Sequence, residues 1–326
     1  MKVLFVVEGG GVGIYHRADE ADSSLVRHGF AALPGVGPLC VSPDRHRLFA
    51  ATKGGEGASL VALDIDPRTG ELSPTAGAEP TPVTDGPAYL TTDRAGRWLL
   101  HASYGGHSVA VHSIGVGGTV SAEMQRVGVS ENSHCVMADP TNRFVYVPCI
   151  AQAGGDAGNA IHCFRLNGGS GHLEEMPKLT PPRTAPGLNR FGTRGELGPR
   201  HLVFHPYLPV LFTANEQGNS VSCWSMDVDS GALSHVQTVS TVPDDFCDTS
   251  HCSEIQIHPS GRFILAPNRG HNSIAVFEVD GATGTGPRNT RDFPQMWEIR
   301  CENPLICLSQ GGCVRHAELL WTTSRR

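Results

Sequence analysis

A turn-and-strand unit recurs along this chain at intervals of about fifty residues, and that recurrence restricts the fold more than any other feature. Each copy opens with a turn carrying Pro or Asp, often with Gly or Asn before an Arg, and runs into an apolar strand. The copies are Ser42-Pro43-Asp44 into Leu48-Phe49-Ala50, 92–97 into Trp98-Leu99-Leu100, 139–143 into 144–147, His205-Pro206 into Val210-Leu211-Phe212, and 258–262 into Phe263-Ile264-Leu265. Equivalent positions 43, 92, 140, 206 and 259 lie 49, 48, 66 and 53 residues apart, the long interval holding a Gly-rich insertion around 152–158 and a Pro-rich loop around 181–199. A second strand follows at 108–112, 160–164, 220–224 and 273–277, alternating or running apolar as half-buried strands do.

Next comes a hairpin of the form Asp-x-x-x-Gly-x-Leu, read at 66–72 and again from Asp229 through Gly231 to Leu233. No stretch shows the 3.6-residue spacing of an amphipathic helix. About four strands per fifty-residue unit is the pattern of propeller blades, so the expected fold class is all-β, a β-propeller. In that architecture the inner strands line a channel. Polar residues at the starts of inner strands therefore converge from repeats far apart in sequence.

Composition agrees and excludes some partners. The 39 glycines and 23 prolines suit many short strands joined by tight turns. A net charge of −7 lacks the clustered basic face that a nucleic acid requires, and an anionic metabolite would need local arginines to overcome the global field. The opening apolar run at 3–7 is far too short to span a membrane, lacks a signal-peptide core, and is cut off by Glu8-Gly9-Gly10-Gly11. Ten scattered cysteines without short regular spacings read as reduced thiols of a cytoplasmic protein, several serving as small apolar side chains on strands. Oligomeric state is not legible.

More specific wording lies in Gly198-Pro199-Arg200-His201-Leu202-Val203-Phe204-His205-Pro206, then Asn215-Glu216 and Ser220-Val221, and in 268–277, Asn-Arg-Gly-His-Asn-Ser-Ile-Ala-Val-Phe. With Ser42-Pro43-Asp44, Tyr104-Gly105-Gly106, Gln237-Thr238-Val239 and 255–263, these resemble the lactonase-type seven-bladed propellers over roughly residues 10 to 284. That family includes propeller 6-phosphogluconolactonases and the carboxy-cis,cis-muconate lactonising enzyme. The resemblance implies hydrolysis of 6-phosphogluconolactone, the second step of the oxidative pentose phosphate pathway, on a small anionic lactone with no metal or organic cofactor. By motif, the family's catalytic His, Glu and two Arg fall on His134, Glu216, Arg200 and Arg269. His201, Asn215 and His271, from the same stretches, become candidate substrate-binding residues.

The chemistry suits those residue types. Lactone hydrolysis needs an activated water, a stabilised oxyanion and a proton for the departing ring oxygen, and a histidine near neutral pKa can act as base and then acid. Arginine forks match phosphate, carboxylate and oxyanion geometry. Ordinary readings stand beside these: a turn-bound His134, structural arginines, and a Glu216 that is half of a buried ion pair. Two functional alternatives also stay open, muconate lactonisation on the same fold and a non-catalytic binding platform.

Three further motifs are weak. Glu8-Gly9-Gly10-Gly11-Val12-Gly13 superficially matches a phosphate loop, but Ile14-Tyr15-His16 continues as strand, so it reads as a hairpin turn. Cys247, His251 and Cys252 lack a fourth metal ligand. No Gly-x-Ser-x-Gly elbow points to a serine nucleophile. After residue 284 the repeat fails: Gly286-Pro287-Arg288-Asn289 echoes the start of another copy, but the expected turn and apolar strand do not follow. Seven blades would need roughly 340 to 350 residues. The expected organisation is therefore a propeller domain over 1–285 and an aberrant segment, 286–326, in place of the last repeat or repeats.

Overall fold

The computed structural model describes residues 3–17, 24–55, 57–150, 159–182 and 196–279, and the backbone of 297–300. Every regular element among them is a β-strand, and no helix is long and apolar enough to cross a membrane. Apart from the short strands Thr81–Val83 and His251–Cys252, the strands form antiparallel sheets whose neighbours in sequence are neighbours in space, the meander order of a propeller blade. Among the described residues the chain falls into two compact units, one up to Val127 together with Gly169–His172, and one formed by the rest from Gly128 onward.

The first unit holds three sheets. β1 (Val3–Glu8), β2 (Gly11–Arg17) and β3 (Leu25–Ala32) form one, and the glycine motif between β1 and β2 is the expected hairpin turn, with Gly10 at φ +89°. β4 (Val36–Val41), β5 (Arg47–Gly54), β6 (Gly57–Ile65), β7 (Leu72–Pro74) and the short β8 (Thr81–Val83) form the second. β9 (Tyr89–Thr92), β10 (Trp98–Ser103), β11 (Ser108–Ser113) and β12 (Gln125–Gly128) form the third. Phe5, Ile14, Leu39 and Leu48 interlock between the first two, and Phe49, Leu60, Leu90 and Leu99 between the second and third. Each large side chain so buried contributes about 1.5–3 kcal/mol.

The second unit repeats the scheme. β13 (Met137–Ala138), β14 (Phe144–Cys149), β15 (Ala160–Leu166) and β16 (Leu173–Glu175) form its first sheet, and β17 (Pro199–Phe204), β18 (Val210–Asn215), β19 (Ser220–Met226) and β20 (Leu233–Ser240) its second. The third contains β21 (His251–Cys252), β22 (Gln256–Ile257), β23 (Phe263–Arg269), β24 (Ser273–Glu278) and β25 (Trp297–Arg300). β25 pairs antiparallel with β24, so part of the segment expected to be aberrant is an edge strand of this sheet. The rest of 286–326, and the boundary at 285, lie outside the described residues.

The repeat turn owes its wording to backbone hydrogen bonding. Asp93 and Asp139, both fully buried, accept the N–H groups of the residues that begin the next strand: Arg97 and Trp98, and Arg143 and Phe144. Ser42 does this for Arg47, and the His205 ring nitrogen accepts from Tyr207 and Leu208. The Gly or Asn before the Arg sits at positive φ, Gly96 at 66°, Asn142 at 60° and Gly261 at 77°, which explains the preference for those residues. The hairpin acid needs one correction: Asp227, not Asp229, takes the amides of Asp229 and Ser230, in register with Asp66 and its amides from Arg68 and Thr69.

Candidate functional site

Inner strands of the second unit are irregular where the candidate residues sit. In a regular strand, successive side chains point to opposite faces. Between β17 and β18 the register shifts at Pro199/His201, and this bulge lets Arg200 and His201, adjacent in sequence, meet side by side at 3.2 Å (Nη1 to Nε2). The equivalent inner strand of the next sheet is broken into β21 and β22, leaving Ser253 and Glu254 in the gap.

These interruptions bring together groups from three sheets. Glu216, directly after β18, is 3% exposed and places one oxygen, Oε2, 2.8 Å from Arg200 Nε and 2.9 Å from Arg269 Nη2. Arg200 is itself buried, and Nη1 also donates to the Ser253 carbonyl at 2.5 Å. Burial pushes the Arg200 pKa down, and the Glu216 charge opposes that shift. Arg269, at the end of β23, has a side chain about one-third exposed (34%) and donates to the Cys252 carbonyl at 3.2 Å. Its Nε has no hydrogen-bond partner among the described residues.

A histidine pair completes the cluster. His201 Nε2 lies 3.0 Å from His134 Nδ1, with ring centroids 5.0 Å apart. On its other side, His201 Nδ1 lies 2.7 Å from Glu254 Oε2. Both the Arg200 Nε and the His201 Nδ1 contacts are close but off the N–H axis, and the first acts as a charge pair more than as a linear hydrogen bond. His134 sits just before β13, its amide bonded to the Pro148 carbonyl.

The structure thus links His134, Arg200, His201, Glu216 and Arg269 in one chain of contacts. Asn215 faces elsewhere: its amide nitrogen donates to Ser220 and Ser222 and its oxygen accepts from Thr213, all inside its own sheet. Contacts of His271 include Ser273, Ser250 and the Phe246 ring. Glu254 was not anticipated. It stands four residues before the turn residue His258, as His201 does before His205, while His134 and Arg200 stand five before Asp139 and His205. Aligning repeats on the turn residue would have flagged these positions.

Among the described residues one group has metal-ligating atoms within 4.8 Å of one another: His101, His112 and Glu123, in the first unit. Arg126 already occupies both Glu123 oxygens, at 2.8 and 2.6 Å, and holds that carboxyl below its usual pKa. His112 bonds the Ser121 carbonyl and the His101 ring. A guanidinium saturating the only carboxylate makes this a closed hydrogen-bond network with its own cation. Cys252 instead packs against Thr241 and Asn268, and burial raises its thiol pKa to about 12.

Comparison with known proteins follows the same lines. The family model described as "Lactonase, 7-bladed beta-propeller" matches residues 7–291. A 6-phosphogluconolactonase of Pectobacterium carotovorum is 31% identical over 292 residues, covering 88% of this chain and 81% of that relative. One of Serratia proteamaculans is 31% identical, covering 82% and 75%. Among solved structures, a periplasmic gluconolactonase of Pseudomonas aeruginosa superposes with a TM-score of 0.69 at 21% identity, covering 91% of this chain and 81% of that one. A Lactobacillus plantarum protein gives 0.70 at 23%, with the same coverage. At such identities the structural likeness establishes the fold, an all-β propeller.

Proposed function

This chain belongs to the seven-bladed propeller lactonases, and from that premise we propose that it hydrolyses a sugar lactone, foremost 6-phosphogluconolactone to 6-phosphogluconate, at the cluster around Glu216. The observation that carries the reading is the division of labour between the two arginines. Arg200 is buried and engaged by Glu216, Ser253 and His201, whereas the Arg269 side chain is about one-third exposed and shares only Glu216 with it. Arg269 therefore receives the anionic substrate, and Arg200 holds Glu216 and the histidine pair in place.

Hydrolysis then proceeds without a covalent enzyme intermediate. A histidine of the pair takes a proton from water as its oxygen attacks the lactone carbonyl carbon. The tetrahedral oxyanion develops beside the arginines, where preorganised positive charge favours it. Collapse breaks the ring carbon–oxygen bond, the histidine returns its proton to the departing alkoxide, and the new acid ionises to carboxylate.

Arg269→Ala tests this assignment: KM for 6-phosphogluconolactone rises at least tenfold, while KM for unphosphorylated gluconolactone changes less. Equal effects on both substrates would move the phosphate contact elsewhere. A cytoplasmic setting belongs to the same proposal, resting on cysteines such as Cys149, Cys163 and Cys223 that are buried thiols on strands. Seven blades in the family description, against six sheets among the described residues, support an incomplete final blade.

A further inference from the structure

We propose that Glu254 is a positioning residue that acts through His201 to make His134 Nε2 the base, an inference that rests on the lactonase reading and deepens it. An ionised carboxylate oxygen repels a facing lone pair, so His201 Nδ1, 2.7 Å from Glu254 Oε2 although off the N–H axis, carries a proton. A guanidinium only donates, so Arg200 Nη1, 3.2 Å from His201 Nε2, requires a lone pair there. Two independent neighbours thus specify the same tautomer of His201, neutral and protonated on Nδ1. His134 Nδ1, 3.0 Å from that lone pair, must then be the donor, which leaves the unprotonated nitrogen of His134 at Nε2.

The order Glu254–His201–His134 has a chemical consequence. When His134 Nε2 takes a proton from water, the imidazolium keeps its Nδ1–H on His201, and the compensating charge is Glu254, one imidazole away. Arg200 blocks the competing outcome, a proton settling on His201 Nε2, because two cationic donors would then face each other. Among the described residues, the charged and titratable groups at this cluster include Arg200, Glu216, Glu254, Arg269 and the thiol of Cys135. Among them Glu254 is the carboxylate in contact with the histidine pair, while Glu216 is engaged by both arginines. Glu254 is 20% exposed, so the relay ends near solvent instead of in the closed core.

Two measurements test the proposal. In Glu254→Gln, kcat on 6-phosphogluconolactone falls about 10- to 100-fold with KM within about twofold, and the acid limb of the pH–rate profile moves to lower pH, because His134 has lost a charge that favours its protonated form. Glu254→Ala falls at least as far, and Glu254→Asp recovers part of the rate. An unshifted acid limb with kcat and KM changed together would overturn the relay and leave Glu254 structural. Independently of activity, two-bond nitrogen–proton NMR of the histidine rings shows Nδ1–H tautomers for both His134 and His201 in the unmodified protein. An Nε2–H tautomer at His134 would overturn the proposal. Unmodified protein that hydrolyses no lactone, yet shows these tautomers, would remove the reaction and keep the relay.

Discussion

Replacing Glu216 by Gln keeps the shape of the side chain and removes the single negative charge that both arginines share. Arg200 Nε and Arg269 Nη2 touch the same oxygen at 2.8 and 2.9 Å, so those nitrogens are no further apart than about 5.7 Å. Two unit charges at that separation repel by about 3 kcal/mol at an effective dielectric of about 20, and by about 1–2 kcal/mol once solvent at the partly exposed Arg269 screens them. Arg200 is buried and also loses its counter-ion, which brings the expected loss to about 3–5 kcal/mol, the range for a broken buried pair. Domain stabilities are about 5–15 kcal/mol, so Glu216→Gln folds but melts about 4–7 °C lower. Adding Arg269→Gln removes the repulsion, and the double variant melts above the single Glu216→Gln variant. Differential scanning calorimetry of the unmodified protein, both singles and the double reads this directly. A double variant no more stable than Glu216→Gln alone would refute the shared-counter-ion argument.

Two further outcomes follow from the fold. Asp139→Ala leaves the amides of Thr141, Arg143 and Phe144 without their acceptor and lowers stability by about 2–4 kcal/mol, measured by urea denaturation. The second concerns acid. Burial, with the neighbouring His112 and Arg126, pulls the His101 pKa down to about 3, and burial, with Lys178, pulls that of His162 to about 4. The unfolded chain binds these protons near pH 6.5 and the folded chain does not, so the stability they contribute is complete above about pH 6.5. It is lost as pH falls toward those lower values, by at most about 1.4 kcal/mol per pH unit for each group. The melting temperature accordingly falls between about pH 6.5 and about pH 4, and His101→Gln flattens part of that slope; a slope unchanged by the substitution would contradict the assignment.

The turn residues made the repeat legible because their job is local. Asp93 and Asp139 bond to amides four and five residues ahead, so the wording must recur wherever the turn recurs. His134, Arg200, Glu216 and Arg269 were reached through motif resemblance, and their shared contacts come from sheets that only the fold brings together. Glu254 escaped because its partner His201 lies 53 positions away and a lone Glu before a short strand carries no local signal. Asn215 shows the opposite case, a polar residue beside Glu216 whose amide nitrogen serves cross-strand bonding with Ser220 and Ser222 and whose oxygen accepts from Thr213. The edge strand Trp297–Arg300 was hidden because its pairing with β24 depends on backbone alignment with Ser273–Val276, which the sequence of the strand itself does not announce.

The central claim is lactone hydrolysis at the histidine–arginine cluster, and the most direct measurement is the rate on freshly generated 6-phosphogluconolactone against its spontaneous opening. The unmodified protein turns over substrate well above the spontaneous rate, and His134→Ala protein that keeps its β-sheet circular dichroism and cooperative melt drops to near that rate. Folded, unmodified protein no faster than the spontaneous reaction, or a fully active His134→Ala, would contradict it.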